Sequence, residues 1–411
     1  MEKIQPVRGT KDLFAEDYLK HEHIIAIAKN IAHLYGYQGI STPIFEFGNV
    51  FKRSLGEASD VVGKEMYSFV DKGNEEITLR PEFTAAICRA YISNGFQHLL
   101  PLKLFTHGPL FRYERPQKGR QRQFHQLNYE FLGPSCPEVD AEVIAMAANL
   151  LDKIGVLKDT ILELNSLGCT QTRKNYQEAL VVYLKDFENE LSYDSKIRLA
   201  KNPLRILDSK DENDKKIIIN APKINNYFTS EAADFFAKLQ EYLTLLGINF
   251  KINHSLVRGL DYYNHTAFEF VTTALGAQGT VLAGGRYNGL IKLLGGDDTS
   301  GIGFAAGIER LALLCELPEQ KLRSCAVIIF DNAHTNIAMK IANELRLKNV
   351  AVQFEPGIKF DKALKNAVKA NCQFAVFVGE EELKTNSVKF KNLDTRLEKT
   401  IKIEDLQYEF C

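Results

Sequence analysis

The stretch FRYERPQKGRQRQFHQ, residues 111–126, gathers Arg112, Arg115, Lys118, Arg120 and Arg122 around one Pro and one Gly. Guanidinium groups at that density hold anions, and phosphate above all, because a planar fork of N–H donors meets two oxygens at once. The whole chain is close to neutral, with 51 Lys and Arg against 52 Asp and Glu. No global field therefore draws it to a polyanion, and any such partner must be met by a local patch. Phe124 adds a ring that can stack on a planar base. Glu114, Gln126 and Glu130 add groups that can fix a polar, cation-bearing ligand.

Other segments carry similar chemistry. TLRPEFTAAICRA sets Glu82 and Thr84 beside Pro81, and VRGLDYYNHTAFEF carries Arg258 with the paired Tyr262 and Tyr263. Buried Arg and Glu need partners, and a core strand seldom holds several without a ligand or a network. GIGFAAGIERLALL places Gly301, Gly303 and Gly307 before Glu309 and Arg310, as a Gly-rich turn into an apolar helix. It lacks the Lys-Ser/Thr ending of a P-loop. Each feature has a plainer reading: Arg112 and Glu114 as a surface ion pair, Phe124 as a strand residue under a loop, the glycines as packing. The cysteines at 88, 136, 169, 315, 325, 372 and 411 never fall in C-x-x-C spacing, which predicts reduced, mostly buried thiols and no zinc cage.

The elements that must position these residues can be read from periodicity. Residues 111–126 form a hairpin with a basic loop. In its return strand Phe124, Gln126, Asn128 and Glu130 share one face, and Leu127, Tyr129 and Phe131 the other. In the outgoing strand Arg112 and Glu114 fall on a common side. Ile24, Ile27, Ala28, Ile31 and Leu34 recur at helical spacing from Ala15 to about Tyr35. The segments ISTPIFEF, ITLRPEF, LKLFTHGPLFRYE and QFHQLNYEFLG read as strands, as does the Tyr262 segment, predicting an antiparallel α+β domain. Residues 169–250 read as a mostly helical insertion with a hydrophilic break at DSKDENDKK. Beyond Cys325, CAVIIF, AVQFE and FAVFVG alternate with helices, predicting a small α/β domain with a mainly parallel sheet. Its second helix lines up Lys359, Lys362, Lys365 and Lys369, on charge alone a solvated face, with a shallow contact for RNA backbone as the other reading. With 25% of residues charged, no apolar run of membrane-spanning length and no leader-like start in MEKIQPVRGTKDLF, a soluble, cytoplasmic protein is expected.

FRYERPQKGRQRQFHQLNYEF resembles motif 2 of the class II aminoacyl-tRNA synthetases, GFAAGIERLALL their motif 3, and YGYQGISTPIFE their motif 1, which lies at a dimer interface. LVRGLDYYNHTAFEF, with TLRPE and GGRYNGL, resembles the signatures of the histidyl-tRNA synthetase family. The resemblance spans essentially the whole chain. It implies an antiparallel-sheet catalytic domain in two parts (1–168 and 251–322), the insertion (169–250) and an anticodon-binding-like α/β domain (323–411). It also implies ATP-dependent ligation of L-histidine to histidine tRNA through a histidyl-adenylate, in a homodimer, with Mg²⁺ on the outer phosphates and no protein metal ligand identified.

By that resemblance Arg112 and Arg258 are catalytic, holding the α-phosphate. Glu114, Phe124, Arg120 and Arg310 join Arg112 on ATP. Glu82, Phe83, Thr84, Gln126, Glu130, Tyr262, Tyr263 and Tyr287 bind histidine, and Arg115 and Gln117 meet the tRNA acceptor end. The family has Gly where this chain has Phe83. Similar chains also serve as regulatory subunits of ATP phosphoribosyltransferase or as sensors of uncharged tRNA. The reactive arginines, insertion and C-terminal domain present here favour the enzyme.

Overall fold

The computed structural model describes residues 3–56, 61–209, 211–257, 262–276, 279–318 and 324–410. It divides into two compact units, residues 1–317 and 318–411. No helix among the described residues is long and apolar enough to cross a membrane.

The larger unit is built on an 8-stranded sheet, in the order Gln38–Gly39, Leu102–Phe111, Gln123–Gly133, Ser300–Gly307, Thr280–Arg286, Asn264–Val271, Ile161–Ser166 and Lys251–Ile252. Neighbours are antiparallel except at the two edges, where the short outer strands pair in parallel. One face is closed by the helices Glu16–Leu34, Pro137–Ile154 and Ser230–Leu245, which bury Ile24, Ile31, Ile144, Leu151 and Leu239 against Leu127, Tyr129, Phe131 and Phe268. The opening helix ends at Gly36, whose φ of 74° suits a residue without a Cβ. The helix Pro137–Ile154 has Pro at its first turn and ends at Gly155 with φ 86°.

On the opposite face the helix Thr84–Ser93 and the rings of Phe83, Tyr91, Tyr262, Tyr263 and Tyr287 build a second core that covers only part of the sheet. The return strand behaves as its alternation requires. Leu127, Tyr129 and Phe131 enter the helix-covered core, while Phe124, Gln126 and Asn128 line an opening on the other side.

Several local expectations are corrected. The outgoing strand stops at Phe111, so Arg112 and Glu114 lie in irregular chain instead of on a strand. Tyr262 and Tyr263 precede their strand, which begins at Asn264. The glycine run is no turn: Ser300–Gly307 is a central strand, and Ile308–Ala312 is a short helix. Phe83, expected on a strand, leads into the helix Thr84–Ser93. The hydrophilic break holds the helix Glu212–Ile218, and Asp214 within it is buried, accepting from the hydroxyls of Ser192, Ser195 and Ser209.

Residues from Thr170 to Leu245 are mostly helical, and Tyr176, Leu180, Leu184, Ile206 and Ile217 form a core of their own. The last helix of this run, Ser230–Leu245, instead joins the core of the sheet. All described cysteines are free; Cys88, Cys315, Cys325 and Cys372 are buried, and Cys136 and Cys169 partly so. Cys411 lies outside the described residues.

The smaller unit has a 5-stranded sheet in the order Ala351–Phe354, Ser324–Ile329, Phe374–Val378, Ser387–Asn392 and Glu398–Lys402. The first three strands are parallel and the last two antiparallel.

One fully buried ion pair fastens a helix to the sheet. Arg286, at the end of its strand, donates through Nε to Asp140 at 3.0 Å and through Nη1 to the Pro134 carbonyl at 3.1 Å. Thr266 donates to the same carboxylate, and both charged side chains are excluded from solvent. Removing one partner leaves the other buried and unpaired. Asp140→Ala should therefore cost about 3–5 kcal/mol, read as an earlier urea midpoint for the larger unit. A loss under about 1 kcal/mol would show that the pair does not hold the helix.

Candidate active site

The opening on the uncovered face is a cavity of about 370 Å³. Of the expected residues it is lined by Glu82, Phe83, Thr84, Arg112, Glu114, Arg120, Phe124, Gln126, Tyr262, Tyr263 and Arg310. Glu130 and Tyr287 lie beneath its wall, each about 1% exposed. Arg115 and Gln117 are exposed on the hairpin loop, outside the cavity, where Gln117 and Arg120 pair across a tight turn. Arg258 lies outside the described residues.

At the hairpin end three arginines converge, and each is tethered. Arg112 Nε donates to the Pro81 carbonyl at 2.9 Å, with its guanidinium 5.4 Å from the centre of the Phe124 ring. Arg310 donates to the carbonyls of Gly119 at 3.1 Å and Thr280 at 2.7 Å, tying the basic loop to the sheet. Burial, followed by the charge of Arg120, pulls Arg310 below its ordinary value. Arg120 Nε stands 2.6 Å from Glu114 Oε2, at ion-pair distance but without the alignment of a hydrogen bond. Cations crowded this closely, with carbonyls as partners for two of them, favour an anion between them.

At the opposite end the chemistry is neutral and exacting. Thr84 Oγ1 donates to Glu130 Oε1 at 2.6 Å, and the Tyr287 hydroxyl donates to Oε2 at 2.5 Å. Burial pushes the Glu130 carboxyl up to about 7 against these two donors. Tyr262 lies against Tyr263 at 4.6 Å and Tyr287 at 5.8 Å, completing an aromatic wall. Glu82 accepts from the amides of Thr84 at 2.6 Å and Ala85 at 2.8 Å, capping the helix Thr84–Ser93, and burial raises it. The backbone of Phe83 is ordinary right-handed helix, φ −95° and ψ −33°, so the position does not require Gly.

Among the charged residues that line the cavity, the sequence reading missed four: Glu65, Arg205, Glu269 and Glu309. Glu309 accepts from the His125 amide and from its ring Nδ1, each at 2.9 Å, fixing the Arg310 helix to the return strand. His21 joins them, the three ligand atoms lying within 4.8 Å of one another. The neighbour of Arg310 in GIER was the available signal for Glu309. Arg205 comes from the helical region and carried no local signal.

Residues 9–311 match the family model for histidyl-tRNA synthetase, and residues 324–410 match that of an anticodon binding domain. The chain belongs to the histidyl-tRNA synthetase family. It is 54% identical to a histidine–tRNA ligase of Rickettsia bellii (strain RML369-C) over 97% of this chain and 96% of that protein. It is 50% identical to one of Rickettsia prowazekii (strain Madrid E), covering 98% of each. Among solved structures, apo S. aureus histidyl-tRNA synthetase is similar at TM-score 0.83 and 35% identity, over 99% of this chain and 100% of that one. An ATP phosphoribosyltransferase regulatory subunit/histidyl-tRNA synthetase from Bacillus halodurans C is similar at TM-score 0.67 and 22% identity, over 92% and 99%, a likeness of fold alone.

The Glu130 carboxyl gives this histidyl-tRNA synthetase fold a pH signature. Its folded pKa stands above the ordinary 4.5, so its stabilisation is full below that value and is lost as pH rises through about 7. Glu130→Gln keeps the shape and removes the charge. At about 1.36 kcal/mol per pKa unit, wild type should lose about 2–3 kcal/mol relative to that variant between about pH 5 and about pH 8. Urea midpoints measure the difference, and a gap independent of pH would contradict a buried, shifted carboxyl.

Proposed function

We infer that this chain charges tRNA with histidine in two steps, and that the cavity performs the first. The histidine carboxylate attacks the α-phosphorus of ATP. A P–O bond to histidine forms, the bond to pyrophosphate breaks, and the adenylate then gives its acyl group to the terminal ribose of tRNA, releasing AMP. A carboxylate is already nucleophilic, so the first step needs alignment and positive charge more than a base. The observation that carries the reading is the convergence of Arg112, Arg120 and Arg310 on one cavity, with Glu130 and its hydroxyl donors at the other end.

In this assignment Arg112 and Arg258 hold the α-phosphate and the reacting carboxylate. Phe124 stacks on adenine and Glu114 reads its amino edge, while Arg120 and Arg310 take the outer phosphates. Binding must then exchange the Glu114–Arg120 contact for contacts to ATP. Glu82, Thr84 and Gln126 receive the α-amino group. Glu130 and Tyr263 take the two imidazole nitrogens, with Phe83, Tyr262 and Tyr287 around them. A ligand lacking either nitrogen leaves a buried polar group unpaired, which gives steep discrimination. Arg115 and Gln117, exposed on the loop, meet the tRNA acceptor end.

ATP enters as its Mg²⁺ complex, and Mg²⁺ requires oxygen donors. The carboxylate of Glu269, which accepts from the Thr280 hydroxyl at 2.8 Å, lines the same cavity and is suited to hold it, directly or through water. Held there, Mg²⁺ would supply positive charge to offset that of the phosphates. We place the reaction in the cytoplasm and the active species as a homodimer.

Exchange of labelled pyrophosphate into ATP without tRNA should require histidine and no other amino acid. Folded protein that binds ATP yet exchanges nothing would overturn the reading. Arg112→Ala and Arg258→Ala should each lower exchange by about 10²–10³-fold with the fold retained. Glu130→Ala should raise the KM for histidine far more than that for ATP, and equal effects on both would refute its placement at the imidazole.

A further inference from the structure

The return strand Gln123–Gly133 turns Gln126, Asn128 and Glu130 to one face, each roughly 7 Å from the next along the strand. Register with the neighbouring strand Ser300–Gly307 sets Gly307 opposite Gln126, Ala305 opposite Asn128 and Gly303 opposite Glu130. Ala305 and Gly307 line the cavity together with Gln126 and Asn128. Side chains this small leave room for a ligand to lie along the polar row. Gln126 and Glu130 already have places at the two ends of histidine. Asn128, between them, has none.

Its side chain is only half satisfied. Asn128 is 2% exposed, and its Oδ1 is buried without a hydrogen-bond partner among the described residues. Its amide group is engaged on the other side, by a hydrogen bond to Glu130 that helps hold that carboxyl down against burial. Exchanging oxygen for nitrogen would therefore sacrifice the one bond the side chain makes. A buried acceptor left unpaired is costly, and folded proteins keep few of them. Among the described residues, the other orphaned atoms on the cavity wall are Glu114 Oε2 and Arg120 Nε, which stand against each other at the hairpin end. Asn128 Oδ1 is the orphan of the end near Glu130.

We propose that Asn128 Oδ1 accepts a hydrogen bond from the α-ammonium group of bound histidine, which makes Asn128 a specificity residue of the adenylation site. The inference rests on the reading of this cavity as the histidine site. A neutral imidazole offers one N–H and one acceptor nitrogen, and Glu130 and Tyr263 answer both. An α-ammonium offers three N–H donors and needs more oxygens around it. The nearest carboxylate is partly committed, because the two oxygens of Glu82 already accept from the amides of Thr84 at 2.6 Å and Ala85 at 2.8 Å. The Thr84 hydroxyl has its proton turned to Glu130. Uncharged oxygens must complete the set, and Gln126 and Asn128 carry them on one face. An amide oxygen suits the place, since it receives a cation without setting a second negative charge beside the buried Glu130.

Equilibrium dialysis of labelled L-histidine against the full chain, with histamine or 4-methylimidazole as displacing probe, separates the two ends of the ligand. Both probes carry the imidazole, and only histamine carries an ammonium group. Asn128→Ala should weaken histidine and histamine about tenfold while 4-methylimidazole stays within about twofold, so the preference for histamine falls about tenfold. Retained binding of 4-methylimidazole shows that the pocket is intact. Asn128→Asp keeps an acceptor oxygen and gives up the donor to Glu130; it should keep the wild-type preference or exceed it. Equal weakening of both probes in Asn128→Ala would place the effect at Glu130 and overturn the proposal. Loss of the preference in Asn128→Asp would overturn it too. An unaltered chain that binds no histidine would remove the proposed function together with this inference, whereas histidine binding with an unmoved preference in Asn128→Ala would remove this inference alone.

Discussion

A carboxyl group buried in the middle of a β-sheet sets the terms for much of this fold. Glu130 is about 1% exposed, and the Thr84 and Tyr287 hydroxyls donate to it. A group of this kind needs space as well as donors. The adjacent strand yields that space, because a Cβ at Gly303 would collide with the carboxylate and one at Gly301 with the Tyr287 ring. Gly285, opposite Gly303, leaves room for Tyr263 in the same way. Glycine weakens a strand through its backbone entropy and its missing side chain. The cost is offset where that strand lies between two long neighbours, with Ile302, Phe304 and Ala306 packed into the helix-covered core.

The opposite end of the cavity shows how cations can be gathered and held in place before an anion arrives. Carbonyl oxygens orient the guanidinium groups of Arg112 and Arg310 but bring no full negative charge. Arg120 has the Glu114 carboxylate beside it in a contact that lacks hydrogen-bond alignment, and the carboxylates of Glu114 and Glu269 also act on Arg310. The positive charge is thus fixed in place before an anion arrives, which lowers the reorganisation cost of binding one. Glu309 adds rigidity by joining the Arg310 helix to the return strand through His125. Burial holds the neighbouring His21 below its ordinary pKa, so it adds little charge of its own.

Local pattern revealed the parts of the site that depend on alternation. Phe124, Gln126, Asn128 and Glu130 fall on one side of their strand, as a period of two requires, because that strand is long and its other face is apolar. Features governed by pairing between distant strands were hidden. Gly301 and Gly303 look like part of a turn until Tyr287 and Glu130 are set against them, since nothing within eight residues says what fills their missing side chains. Asp140 and Arg286 were invisible for the same reason: a buried ion pair is written at two places 146 residues apart. Arg112 and Glu114 still reach the cavity although their strand ends at Phe111, because the hydrogen bond from the Arg112 amide to the Arg122 carbonyl keeps the hairpin together one step further.

Phe83 shows how a departure from a family pattern can be absorbed by structure. A Gly at such a position suggests a backbone only Gly can adopt, yet φ and ψ here suit any residue. The ring turns into the core, with the Arg80 guanidinium 4.5 Å from its centre. That arginine donates to the carbonyls of Thr42 at 2.7 Å and Pro109 at 3.0 Å, joining the chain that follows the edge strand Gln38–Gly39 to the hairpin's outgoing strand. A partly desolvated cation over a ring contributes about 1–2 kcal/mol, enough to favour a fixed arginine over a mobile one. The larger side chain therefore braces the floor of the cavity beside Glu82 and Thr84, where its ring is buried in the apolar core of that face.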